Sequence, residues 1–372
     1  MALSKIQSNS YEDTAVHGQR NLIINGAMQV AQRGTSGVTG NGYNSVDRFR
    51  MASGGTSQWA LTQTQETDAP TGFSKSTKYS CTTAETTLDA ADWAGIQYTF
   101  EGQDLQHLSY GSASAQSVTL SFWVKSSATG TFGVSIYQPN DGRIIGSTYT
   151  IASANTWEQK IITFAGDTTG IIDNVNTEGL RIYWFLAAGS NFTSTDNTSW
   201  KVYTGNDFAY GHAVNLIDST SDNFYLTGVQ LEVGDTATTF EHRSYGDEYN
   251  RCLRYTYAPR NDSTSGSDGS TIANGYCQTG SIGVYFTEFP VPMRDIPSLT
   301  TTSTAGSIEQ AYHNAGATSH NVSDMSYIAS ISGNQKACFT VGSASFSGGE
   351  SAFCRYATGN IADNIIVFSA EL

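Results

Sequence analysis

Apolar and polar residues alternate along most of this chain, and the alternation is that of strands. Val229, Leu231 and Val233 alternate with Gln230 and Glu232, which predicts a strand with one buried and one wet face. The first strong strand is expected over Asn21–Val30, followed by Asp47–Met51. Further strands are expected at 58–64, 76–82, 95–101, 117–125, 131–138, 145–151, 157–164, 179–187 and 223–233. Turn chemistry separates them, as at Asn140-Asp141-Gly142, Ala154-Asn155 and Gly166-Asp167. Short strands at this spacing predict an all-β fold, a sandwich or jelly roll rather than a parallel α/β sheet, and a jelly-roll β-sandwich is expected over 21–242.

Three stretches break the rhythm. Residues 1–20 are polar and aperiodic, and read as an N-terminal docking peptide. The segment 188–222 is long and polar with Trp200, Tyr203, Phe208 and Tyr210 embedded, so it is expected to leave the sandwich and pack on one face. Residues 243–258 form a hinge, with helical turns expected over Glu248–Tyr255. Beyond a loop at 260–270, strands are expected near 281–286, 326–332, 335–341, 352–357 and 364–371, giving a smaller C-terminal β-sandwich over 259–372. The proline-rich run Phe289–Pro297 lacks ladder donors and belongs at an edge or rim. No fixed-period repeat appears, which disfavours a propeller or β-helix.

Composition agrees with strands. Only 14% of residues are charged, while Tyr (20) and Phe (17) are plentiful, as sheets favour. Net charge is −14, so phosphate backbones and anionic membranes are repelled; no nucleic-acid partner and no membrane insertion are expected. The five cysteines, Cys81, Cys252, Cys277, Cys338 and Cys354, are odd in number and include no CxxC pair, which points to reduced thiols. The N-terminus has no apolar core of a secretion signal, so synthesis in a cytoplasm is expected.

Several phrases of the sequence resemble a known family. They are Arg20-Asn21-Leu22-Ile23-Ile24-Asn25-Gly26-Ala27-Met28-Gln29-Val30 with Asp47-Arg48-Phe49, Thr119–Ser126, Trp157–Gly170, Ala188–Thr193 and Gly228–Gly234 running on to Tyr255. Together they are similar to tail-fibre-like and collar-like virion proteins of tailed, especially marine, bacteriophages. The first domain also resembles carbohydrate-binding jelly rolls. The resemblance implies location in a virion, a homotrimer, docking to other virion proteins through 1–20, and attachment to a host surface glycan or protein. A capsid-decorating protein without a receptor is the alternative within that class, and a glycan depolymerase the alternative outside it.

Candidate chemistry is sparse. The six histidines never fall at metal-ligand spacing, and no nucleophile elbow or phosphate loop occurs, so no catalytic residue and no cofactor is expected. A depolymerase needs two carboxylates on one cleft, and Glu101, Asp104 and Glu232 are the imaginable ones. Asp/Asn-rich loops at Asn261–Asp268 and Asp222-Asn223 are better explained as turns than as calcium sites. Aromatics carry the functional signal, because a flat ring covers the apolar face of a sugar. Trp93 and Trp200 sit in polar, loop-like contexts and are the first binding candidates, followed by Trp123 and Tyr203. Trp123 shares the polar face of its strand, where packing beneath 188–222 competes with ligand contact. Trp157 and Trp184 are expected in the core.

Overall fold

The computed structural model describes residues 20–37, 39–55, 58–259, 271–301, 308–312, 319–321, 324–342, 351–356 and 366–372. Most of the docking peptide and the loop 260–270 lie outside the described residues. The chain divides into two compact units. One holds residues 35–248 with the N-terminal segment to Ala31 and Leu372; the other holds 249–371 with Gln32–Gly34.

The first unit is an all-β sandwich. Its strands are β1 (Arg50–Gly54), β2 (Ala60–Glu66), β3 (Ser76–Thr83), β4 (Trp93–Glu101), β5 (Val118–Ser126), β6 (Gly130–Gln138), β7 (Arg143–Ile151), β8 (Glu158–Phe164), β9 (Glu178–Ala188), β10 (Lys201–Val202) and β11 (Asn223–Val233). One sheet runs β1-β4-β9-β6-β7-β10 and the other β2-β3-β11-β5-β8. The chain crosses repeatedly between layers, as a jelly roll does, and every pairing is antiparallel. Inward residues of both sheets, among them Ile96, Tyr98, Phe122, Phe132, Ile182 and Trp184, form one core. Trp184 is fully buried, as expected for a ring in so apolar a strand.

The N-terminal phrase is not a strand. Residues 21–30 form turns held by side-chain amides, with Asn25 and Met28 at positive φ (62° and 57°). Asn21 Nδ2 donates to Val229 O (3.1 Å), and Leu231 N donates to Asn21 Oδ1 (3.0 Å). Asn25 Nδ2 donates to Val30 O (2.8 Å) and Asp47 O (3.0 Å), while Val30 N donates to Asn25 Oδ1 (2.9 Å). These buried amides supply the partners that a sheet ladder would otherwise give. The apolar run that reads as a strand is apolar because Ile23, Met28 and Val30 plug into the core.

The closing strand β11 also departs from its pattern. Gln230 and Glu232, expected wet, are 0% and 4% exposed. The segment 234–242 folds back over them: Thr238 N donates to Glu232 Oε2 (3.0 Å) and Glu241 N donates to Gln230 Oε1 (2.8 Å). Gly228 sits at φ +60° in a bulge between Thr227 and Gln230, where a Cβ would lie 2.7 Å from Phe73 and 2.9 Å from Trp123. Helix α1 (Ser190–Thr193) lies in the excursion; helix α2 (Tyr245–Leu253) follows Ser244, whose Oγ accepts from Asp247 N (3.2 Å) as an N-cap.

The second unit pairs a three-stranded with a seven-stranded antiparallel sheet. Its strands are β12 (Thr256–Tyr257), β13 (Thr271–Cys277), β14 (Ile282–Glu288), β15 (Ser298–Thr301), β16 (Ile308–Tyr312), β17 (Ser319–Asn321), β18 (Asp324–Tyr327), β19 (Lys336–Gly342), β20 (Ser351–Tyr356) and β21 (Ile366–Ser369). Tyr285, Phe339, Phe368 and Met293 lie in its core. The run 289–297 forms no strand, in keeping with its missing donors. The five cysteines are buried, and none is in a disulfide. No helix among the described residues is long and apolar enough to cross a membrane.

Candidate functional site

The outward face of the six-stranded sheet gathers aromatic and planar polar side chains, of which Gln97, Tyr183 and Phe208 are buried and Arg50, Trp93, Tyr137, Arg181 and Tyr203 half-buried. Strand register sets it. Arg50, Gln97, Tyr183 and Ser135 are consecutive partners across β1, β4, β9 and β6; Thr99, Arg181 and Tyr137 form the next row. Arg50 Nη1 donates to Gln97 Oε1 (3.3 Å), and Gln97 Nε2 donates to Thr99 Oγ1 (2.9 Å). Arg181 Nη1 donates to the Tyr183 hydroxyl (3.3 Å), Arg181 pairs with Glu178, and its guanidinium stands 5.8 Å from the Tyr137 ring centroid. Burial pushes the Tyr183 hydroxyl pKa up, against the pull of Arg181, so it stays a neutral donor.

The 188–222 excursion walls this face, as its composition led us to expect. Asn197 pins it: Gly146 N donates to Asn197 O (2.8 Å), and Asn197 Nδ2 donates to Asp207 O (2.6 Å). Ser135 Oγ donates to Phe208 O (2.8 Å), and Gly133 N donates to His212 Nδ1 (3.1 Å). Phe208 is the centre of the wall, 4.9 Å from the rings of Trp93, Tyr183 and Phe185 and 5.7 Å from Tyr203. Tyr203 meets Tyr137 edge-on at 5.2 Å. A depression of about 370 Å³ lies at the start of β9, lined by Pro139, Asn140, Asp173, Val175, Thr177 and the Arg181 partner Glu178.

Of the four aromatic candidates, the fold brings two together. Trp93 and Tyr203, both half-buried, share the Phe208 cluster. Trp93 is not in a loop: it opens β4, and its indole lies over Gly54, where a Cβ would come 2.4 Å from Nε1. Trp200 packs elsewhere, edge-on to Tyr110 at 5.7 Å, with Nε1 donating to Ala165 O (2.6 Å). Trp123 lies on the outward face of the other sheet, against Phe73, and not beneath the excursion. Trp157 is not core: it is half-buried on that same face and donates from Nε1 to Asp68 Oδ1 (3.0 Å). Arg50, Gln97, Tyr137, Arg181 and Tyr183 escaped the sequence reading. Their signal was the alternation in β1, β4, β6 and β9, where they occupy the positions opposite the core residues.

The fold places the three candidate carboxylates in different settings. Glu101 ends β4 and Glu232 lies near the end of β11, strands of different sheets, and both are buried. Glu101 is the register partner of Glu178, yet its side chain is 0% exposed and accepts from Gln103 Nε2 (2.7 Å), while Glu178 holds Arg181. Asp104 is exposed in the turn Gly102–Leu108. Asp222 serves a turn, accepting from Ser219 N (3.1 Å) and Ser127 Oγ (3.2 Å). Among the described residues, Glu85, Asp89 and Asp92 bring carboxylate oxygens within 4.8 Å of one another, the donor type a hard cation takes.

No family model and no curated protein matches this chain. Solved structures do. The enzymatically active domain of tailspike protein 4 of bacteriophage CBA120 is similar at 14% identity and TM-score 0.32, over 57% of this chain and 21% of that one. A family 11 carbohydrate-binding module of a Clostridium thermocellum cellulosomal cellulase is similar at 15% identity and TM-score 0.29, over 56% of this chain and 98% of that one. A family 22 carbohydrate-binding module of a Clostridium thermocellum xylanase is similar at 14% identity and TM-score 0.28, over 50% and 88%. These likenesses are too distant to assign the chain a ligand.

Proposed function

We propose that the outward face of the six-stranded sheet binds a glycan, without hydrolysing it. The observation that carries this reading is the half-buried Arg50 and Arg181 set among the half-buried rings of Trp93, Tyr137 and Tyr203, over a buried layer of Gln97 and Tyr183. Sugar hydroxyls need donors and acceptors at fixed angles, which the guanidinium groups of Arg50 and Arg181 and the phenols of Tyr137 and Tyr203 provide; the apolar C–H face needs rings. Sheet backbone and the excursion hold these groups in place before ligand arrives, which limits the ordering cost of binding.

The resemblance to tail-fibre-like and collar-like virion proteins sets that binding in attachment to a host surface. In that setting the chain works as a trimer with contacts in 1–30 and 259–372, and docks through 1–20. Light scattering checks the assembly, and a monodisperse monomer at micromolar concentration contradicts it. For binding, a glycan array selects a ligand and amide shift mapping locates it. Shifts at Arg50, Trp93, Tyr137, Arg181 and Tyr203 with no release of reducing ends are expected. Shifts confined to any other face, or hydrolysis, would overturn the proposal.

A further inference from the structure

The five-stranded sheet carries a second polar-aromatic row that the first site does not use. Lys78, Tyr225 and Lys125 are cross-strand partners on β3, β11 and β5, and Trp157, just before β8, continues the row. Cations and rings alternate: Lys78 Nζ stands 5.4 Å from the Tyr225 centroid, and Lys125 Nζ stands 4.1 Å from Tyr225 and 5.4 Å from Trp157. The connection between β2 and β3 lies over this row. Its Asp68 takes the Trp157 N–H on Oδ1 (3.0 Å) and the Lys125 ammonium on Oδ2.

The burial of this pair is lopsided. The Lys125 side chain is 10% exposed, whereas that of Asp68 is 50% exposed. The backbone around Asp68 is anchored, with Ser76 Oγ donating to Asp68 O (2.6 Å) and Phe73 N donating to Pro70 O (3.0 Å). Rotation of one side chain therefore opens the cradle without moving the loop. What remains is an ammonium, an indole N–H and two half-exposed rings, with Lys78 alongside. Lys78 makes no ion pair among the described residues.

We propose that this cradle is a second binding site, for the carboxylate of an acidic sugar, and that Asp68 holds the ligand carboxylate's place when the site is empty. An ammonium and an N–H aimed at one carboxylate select an anion, and the flanking rings select a sugar over a bare carboxylate. Hydrogen bonds from Lys125 and then Trp157 hold the Asp68 carboxyl below the usual carboxylate range, in line with a site built for an anion. The chain's net charge of −14 opposes acidic polymers at a distance, but salt screens that repulsion beyond about 8 Å, leaving the local cations to decide.

The test titrates an oligogalacturonate, its methyl ester and polyglutamate into the full chain and into Asp68→Asn, Lys125→Gln and Trp157→Phe. Removing the internal competitor in Asp68→Asn should tighten oligogalacturonate about tenfold, and Lys125→Gln should weaken it by at least that factor. Trp157→Phe keeps the ring but loses the donor, and should weaken binding several-fold; it serves if Asp68→Asn does not fold. Equal affinity for the methyl ester or for polyglutamate would overturn the proposal. So would oligogalacturonate binding that is absent throughout, or unchanged by every variant. Arg50→Ala should leave this titration unmoved, which separates its failure from that of the first site.

Discussion

The two outward faces of the jelly roll share a sheet geometry and differ in what covers them. The six-stranded face is walled by a long excursion whose Phe208, His212 and Asn197 are buried. The five-stranded face is crossed by two short segments, 67–75 and 234–242, which touch it through Phe73, Asp68 and Thr238. A long cover can bring its own apolar payload and fix a set of rings. A short cover satisfies polar groups and leaves its side chains half-exposed. The first arrangement suits a rigid site, and the second a site opened by a side-chain rotation.

The largest expected effect comes from removing the centre of the wall. Phe208→Ala should cost about 3–5 kcal/mol of stability, because the ring is 6% exposed and packed on three others. Phe73→Ala, on a half-buried ring of the other face, should cost less than half as much. Denaturant melts of both variants compare the covers directly; equal losses would erase the distinction.

The second test uses pH. Burial pushes the His212 imidazole down to about 4 from 6.5, with backbone carbonyls acting weakly the other way. The unfolded chain takes up this proton as pH falls through about 6.5, while the folded chain does so only near 4. Stability should therefore decline across that window by roughly 3 kcal/mol, and level off below it. His212→Asn, which keeps an acceptor for Gly133 N, should lose that part of the pH dependence. An unchanged profile would show that His212 is not buried neutral beneath the wall.

Most strands were legible because both sheets keep one face in the core, and the alternation marks it. The misreadings share a cause: local sequence does not show what a distant segment covers. Gln230 and Glu232 read as wet because 234–242 folds back over them. Trp157 read as core because it adjoins an apolar strand, yet it stands at the row that Asp68 caps. Asn21–Val30 read as a strand because its apolar residues are core plugs, and side-chain amides there replace a ladder. For the site, Trp93 and Tyr203 could be suspected as aromatics outside the strongest periodicity. Arg50, Gln97 and Tyr183 could not, since only register places them side by side.

A smaller effect belongs to the bulge. Gly228→Ala puts a Cβ at φ +60° against Phe73 and Trp123, and should cost about 1–3 kcal/mol. It should leave glycan binding on the six-stranded face intact, as read by calorimetry. Loss of that binding would mean that the two faces are coupled.

The most direct test of the central claim is the affinity of Arg50→Ala for the glycan selected on the array. Arg50 is half-buried and bonds the buried carboxamide of Gln97, so its truncation should lower the melting temperature modestly, and binding is compared well below both transitions. Binding should weaken by about 1.5–3 kcal/mol, the share of a charged donor facing a sugar hydroxyl. A stably folded Arg50→Ala protein that binds the glycan as tightly as the parent would contradict the account.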